Sequence, residues 1–153
     1  MDNKDELFMK EALRLAKKAA SFGEVPVGAV IVRDGKIIAR GYNRREADKN
    51  ALRHAEITAI DRACKRLGGW RLPGCALYVT LEPCPMCAGA VINARMERVV
   101  YGCADPKGGS VDTVARLFDL PYNHKPEVTS GVLADECAGA LSEFFRGLRK
   151  RGK

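Results

Sequence analysis

Apolar positions recur along this chain with two different periods, and the switches between them lay out its elements. Phe8, Ala12, Leu15, Ala16 and Ala19 repeat at three- and four-residue spacing, with Lys10, Arg14, Lys17 and Lys18 between them. That pattern predicts an amphipathic helix over about Asp5–Phe22, stopped by Gly23. Val27 to Arg33 is a nearly continuous apolar run, as expected of a central strand covered on both faces. Asp34-Gly35 predicts a two-residue hairpin turn, with Lys36 to Tyr42 returning antiparallel. A polar segment, Asn43 to Asn50, leads into a helix that carries His54 and Glu56 and ends at Gly68-Gly69.

Ala76 to Leu81 reads as the next strand, and Pro85 suits the first turn of a third helix running to about Ala94. Arg98 to Tyr101 is a short strand. The connection from Cys103 to Pro126 holds Pro106, Gly108-Gly109 and Pro121, with a short helix expected near Val114–Phe118. Connections of that length in compact domains usually carry function. Glu127 to Gly131 is expected as an edge strand. A final helix follows, with Cys137, Leu141, Phe144, Phe145 and Leu148 on its apolar side. Strands alternating with helices imply an α/β fold, a helix–sheet–helix sandwich with right-handed connections where strands run parallel. No repeat or linker divides residues 1–153, so one domain is expected.

Composition narrows the class without naming it. With 46% hydrophobic and 29% charged residues the chain is globular. No stretch approaches the roughly 18–20 apolar residues that a membrane span needs. The charged start, Met-Asp-Asn-Lys-Asp-Glu, lacks the apolar run of a secretory signal, so a cytoplasmic location is expected. The net charge of +7 points to a polyanionic partner, and Arg146, Arg149, Lys150, Arg151 and Lys153 concentrate basic charge at the end of the chain. A solvated tail is the other reading of that cluster.

The six cysteines divide by spacing. Cys64, Cys75, Cys103 and Cys137 lie among small and apolar residues and are expected to pack in the interior. Cys84 and Cys87 are three apart at a helix start, so they share a face, and the helix dipole favours their thiolates. With His54 they form a three-ligand zinc set that leaves a fourth position for water, whereas structural zinc sites are usually closed by four protein ligands. Zinc lowers the pKa of bound water from about 16 to about 7. Zinc-bound hydroxide with Glu56 as proton shuttle is the chemistry of hydrolytic nucleobase deamination. Residues two apart diverge in mid-helix, so His54 and Glu56 can serve one site only from a helix entrance. Asp61 and Glu82 are poorer shuttle candidates, being farther along the helix and lacking ligand spacing respectively.

Several segments together resemble the bacterial tRNA-specific adenosine deaminase family. They are Val25-Pro26-Val27-Gly28-Ala29-Val30, Gly41-Tyr42-Asn43-Arg44, His54-Ala55-Glu56, and Thr80-Leu81-Glu82-Pro83-Cys84-Pro85-Met86-Cys87-Ala88-Gly89-Ala90. Asp105-Pro106-Lys107, Asn123-His124 and Phe144-Phe145-Arg146 complete the set. The His-x-Glu and Cys-x-x-Cys elements alone are shared by the wider cytidine deaminase-like superfamily; the ordered flanking segments are more specific. The resemblance implies a three-layer α/β/α fold with a five-stranded mixed sheet, one Zn2+ per subunit, a homodimer, and conversion of wobble adenosine to inosine in an arginine tRNA. It also implies that Asn43 and the Ala55 backbone hold the flipped adenine, Asp105 contacts a sugar of the anticodon loop, and Asn123 lines its approach. Arg44, Arg45, Lys107, Arg146, Arg149 and Lys150 are candidates for neutralising the tRNA backbone. Without the resemblance, Asn43 caps a strand end and Asp105 starts a turn.

Two other readings share the residues. A deaminase of free guanine, cytosine or deoxycytidylate would use the same zinc chemistry. A noncatalytic RNA-binding module with structural zinc would need a fourth protein ligand and would tolerate loss of Glu56.

Overall fold

The computed structural model describes residues 3–151. Lys153, part of the basic cluster, lies outside them, as does the Arg151 side chain. The chain runs α1 (Asn3–Ser21), β1 (Gly28–Arg33), β2 (Lys36–Tyr42), α2 (Ala55–Leu67), β3 (Cys75–Leu81), α3 (Pro85–Asn93), β4 (Arg98–Cys103), β5 (Glu127–Thr129) and α4 (Ala134–Arg151). The sheet is ordered β2-β1-β3-β4-β5. β1 pairs antiparallel with β2 and β3, while β3–β4 and β4–β5 are parallel, giving the expected five-stranded mixed sheet.

Period-two alternation divides the strands between two cores. Ala29, Ile31, Leu77, Val79 and Val99 face the small residues Ala55, Ala59 and Ala63 of α2 and Ala88, Val91 and Ile92 of α3. Val30, Val32, Tyr78 and Val100 face Phe8, Met9, Ala12 and Leu15 of α1 and Cys137 of α4. Helices therefore cover both faces. The alanine stripe of α2 lets the helix settle onto β2, where a methyl group at Gly41 would strike the Ala55 carbonyl and come within 2.9 Å of the Ala59 nitrogen. The hairpin turn has φ of 52° at Asp34 and 74° at Gly35, as the Asp-Gly pair predicts.

Three expectations change. The second helix begins only at Ala55; residues 50–53 form turns in which Asn50 accepts from the Leu52 and Arg53 backbone N–H groups. The helix expected near Val114–Phe118 is a single 3₁₀ turn, Leu117–Asp119. Among the described residues of α4 only Cys137 and Phe144 are buried, while Phe145 and Leu148 are exposed. A helix packed along one flank buries a narrow stripe, and Leu148 lies a turn past the last position that meets it.

Candidate active site

Two helix starts meet at the C-terminal end of β3, and both use the residue before the helix in the same way. His54 precedes α2 with φ −72° and ψ 157°; Cys84 precedes α3 with φ −74° and ψ 175°. Neither side chain caps its own helix. Extended backbone at these positions aims the imidazole and the thiol across the helix ends, toward each other. Cys87 sits in the first turn of α3, behind Pro85, and is buried. His54 therefore stands just outside the helix whose first turn carries Glu56, so the two residues converge as a helix entrance requires.

His54 Nδ1 lies 3.6 Å from Cys84 Sγ and 3.7 Å from Cys87 Sγ. All three donor atoms fall within 4.8 Å of one another. A tetrahedral zinc with bonds of about 2.0 Å to nitrogen and 2.3 Å to sulfur separates its ligands by roughly 3.5–3.8 Å. The two nitrogen–sulfur separations match such an ion, and the three donors together can hold a metal. Between them the two cysteines share one proton, held on Cys87. Hydrogen bonding from Cys87, and then from His54, holds Cys84 down at about 4, while Cys87 is pushed up as the donor. His54 is raised chiefly by its hydrogen bond to Cys84. Burial pushes the Glu56 carboxyl up to about 7.

A cavity of about 170 Å³ opens beside these donors, lined by His54, Glu56 and Cys84 together with Asn43, Ala55 and Asp105. The structure thus brings three of the expected base- and sugar-binding residues to the same cavity as His54 and Cys84. Asn43 directly follows β2 and spans the wall: its Nδ2 donates to the Val25 carbonyl at 3.2 Å, and its Oδ1 accepts from the Arg45 N–H at 3.1 Å. Asp105 Oδ1 accepts from the backbone N–H groups of Lys107 and Gly108, shaping the turn after β4. Strand capping and turn formation are therefore real properties of these two residues as well as pocket positions.

Most of the remaining expected contacts lie outside this lining. Asn123 is exposed on the connection before β5, and Lys107 is exposed two residues beyond Asp105. Arg44 is half-buried, its guanidinium held by Asp48 and by the Tyr42 hydroxyl. Arg146, Arg149 and Lys150 are exposed on α4. A groove lined by Phe144 and Gly147 with Lys17, Ala20 and Pro26 puts this half of α4 against the end of α1, next to Val25 and Val27 of the cavity wall.

Arg45, expected from the sequence as a backbone-neutralising cation, lines the cavity as well. Sequence reasoning missed the rest of the wall, Val25, Val27, Leu81 and Glu82. Glu82, set aside as a proton carrier, is fully buried, as is Glu24 near the end of α1. Each is a lone acidic residue at the edge of an apolar segment, Glu82 after β3 and Glu24 before Val25-Pro26-Val27, and that placement was the available signal.

Known proteins resemble this chain in sequence and fold. A model of the MafB19-like deaminase family matches residues 2–149. The tRNA-specific adenosine deaminase of Bacillus subtilis (strain 168) is 59% identical over 150 residues, covering 97% of this chain and 93% of that protein. A structure from work on A-to-I editing by tRNA:A34 deaminases at the wobble position of transfer RNA superposes with a TM-score of 0.86 at 50% identity, covering 88% of this chain and 98% of that one. A guanine deaminase from Bacillus subtilis aligns at 45% identity with a TM-score of 0.63, over 68% of this chain and 66% of the other.

Proposed function

The chain belongs to the tRNA-specific adenosine deaminases, within the MafB19-like deaminase family, and we propose that it converts the wobble adenosine of an arginine tRNA to inosine. The observation that carries this reading is the donor set His54, Cys84 and Cys87 beside a cavity that His54, Cys84 and the buried Glu56 line together with Asn43, Ala55 and Asp105. His54 Nδ1 and the two thiolates would hold Zn2+. When bound there, zinc supplies a Lewis acid that makes water nucleophilic near neutral pH.

The chain's own groups account for the rest of the reaction. Water adds at the ring carbon that carries the amino group, and ammonia leaves. Glu56 has the burial and position to take a proton from water, deliver one to the ring nitrogen, and protonate the departing amine. Asn43 retains a second amide hydrogen and a second lone pair for the adenine edge beyond the bonds that fix it. Ala55 opens α2, and the N–H groups of a first helical turn have no acceptor within the helix. An anticodon base is already partly unstacked, so presenting it to a cavity costs little compared with opening a duplex.

Lys107, Arg44, Arg146, Arg149 and Lys150 supply the backbone-neutralising charge in this proposal, and Asn123 the approach to the cavity. Removing one cation that contacts phosphate makes the negative slope of log K against log salt shallower by about 0.7. A homodimer in the cytoplasm belongs to the same proposal and is supported by the resemblance; sedimentation of the zinc-loaded protein tests the dimer. Among the described residues no helix is long and apolar enough to cross a membrane.

The decisive assay incubates the zinc-loaded protein with an arginine anticodon stem-loop and reads adenosine and inosine by mass spectrometry. Inosine at the wobble position is expected. The similarity to a guanine deaminase makes free-base chemistry the competitor. Xanthine from guanine, with no inosine from the stem-loop, would replace the tRNA reading with that one.

A further inference from the structure

Both walls of the cavity are irregular loops, and each is tied down from beneath by one buried glutamate. Glu24 is 1% exposed; its Oε1 accepts from the Glu46 N–H at 3.0 Å and its Oε2 from the Ala47 N–H at 2.7 Å. These bonds anchor the segment between β2 and α2, which contributes Asn43 and Arg45 to the cavity. Glu82 is 2% exposed and gathers the opposite wall. Its Oε1 accepts from the Asp105 N–H at 3.1 Å and the Thr113 hydroxyl at 2.5 Å. Its Oε2 accepts from the N–H groups of Val111, Asp112 and Thr113 at 3.1, 2.8 and 3.0 Å. Gly109 passes so close that an added methyl group would strike the Glu82 carboxylate.

We propose that Glu24 and Glu82 are positioning residues that preset the two loop walls to receive the anticodon loop. A buried carboxylate is costly unless hydrogen bonds compensate it, and an apolar side chain would fill either place at less cost. What these carboxylates provide is acceptors for main-chain N–H groups that have no strand or helix to join. Because the Asp105 N–H is bound directly, Glu82 sets where the Asp105 side chain enters the cavity. Presetting a loop before binding removes an ordering cost that substrate would otherwise meet, and this appears in KM more than in kcat. His54, Cys84, Cys87 and Glu56 themselves stand at the two helix starts rather than on either loop.

This inference rests on the cavity being the RNA site, so its test has an arm that needs no substrate. Hydrogen–deuterium exchange is followed for residues 44–50 and 105–113 in zinc-loaded wild type, Glu24→Gln, Glu82→Gln and Thr113→Val. Faster exchange is expected at 44–50 in the first variant and at 105–113 in the other two. On the stem-loop, Glu82→Gln is expected to raise KM about tenfold and Thr113→Val about threefold, with kcat and zinc content changing less. Glu82→Asp, which keeps the charge, should recover part of the loss. Gly109→Ala and Glu82→Gln should be non-additive, since both act on one contact. Thr113 is exposed, so its variant decides the matter if Glu82→Gln does not fold. Unchanged exchange in the loops overturns the inference, as does a loss of kcat that simply follows lost zinc. If wild type makes no inosine while the exchange pattern appears as described, the functional reading fails and the loop anchoring stands.

Discussion

Two polar clusters are buried against this sheet, one under α1 and one at the starts of α2 and α3, and they are completed to different degrees. Under α1, Asp5 accepts from the Tyr78 hydroxyl at 2.7 Å and from Arg98 Nη1 and Nη2 at 2.9 and 2.7 Å. Arg98 also donates to the Thr129 hydroxyl at 2.8 Å, so one cluster joins α1, β3, β4 and β5. Its charges are matched within the protein, and the Asp5 carboxyl is held below its ordinary range, first by the hydrogen bond from Arg98. At the other cluster, His54, Cys84 and Cys87 have mainly one another, and Glu56 has the Cys87 thiol and its own backbone N–H. A satisfied buried cluster stabilises a fold; one with donor capacity left over is built for a metal and a substrate. The two clusters should therefore respond to mutation in opposite ways.

The largest effects belong to the cluster of His54, Cys84, Cys87 and Glu56 and should be chemical. Cys87→Ala should lose both the metal, by elemental analysis, and all detectable inosine formation; full zinc occupancy would reassign that ligand. Glu56→Ala should keep zinc and tRNA binding while inosine formation falls about 10²–10⁴-fold, the range typical of positioned proton transfer. Turnover at the wild-type rate in that variant would remove Glu56 from the mechanism. In the satisfied cluster the expected phenotype is reversed. Asp5→Asn leaves Arg98 without its carboxylate and should cost about 2–3 kcal/mol of stability in urea unfolding. The folded fraction should retain full activity and zinc. A loss of turnover there as large as that of Glu56→Ala would erase the distinction between the clusters.

The same contrast governs what the sequence reveals. His54, Cys84 and Cys87 were legible because metal chemistry restricts residue type and the Cys-x-x-Cys spacing is short and local. The α1 stripe and the Asp-Gly hairpin were legible because their periods are local too. The start of α2 was not. His54 is a poor cap by composition, and the turns at Asn50–Arg53 are polar enough to pass for a first helical turn. Glu24 and Glu82 stayed hidden for a different reason: their partners are main-chain N–H groups 22 to 31 residues away, and backbone has no sequence signature. Asp5 reads as a favourable first-turn acid on α1, and only the fold shows it to be buried against Arg98, 93 residues distant.

The smallest effect sharpens the comparison by acid titration. Glu11 is held at about 2, first by Arg14 and then by Arg40, but both guanidiniums are well exposed. Solvent screening leaves this pair about 1 kcal/mol at most, so Glu11→Gln should barely move the urea midpoint at pH 7. Asp5 and Glu11 are both carboxyls lowered by folding, so each contributes stability that is fully present above its unfolded pKa and is lost as pH falls through the folded one. For Glu11 that window runs from about 4.5 down to about 2. Asp5 begins to lose its contribution below about 4. Unfolding free energies measured at pH 7, 5 and 3 should therefore decline less steeply toward acid in Asp5→Asn than in wild type, with Glu11→Gln between them. Equal slopes in wild type and Asp5→Asn would show that the Asp5–Arg98 pair is not what holds this end of the sheet at neutral pH. The two buried clusters would then no longer differ in the way their hydrogen bonds imply.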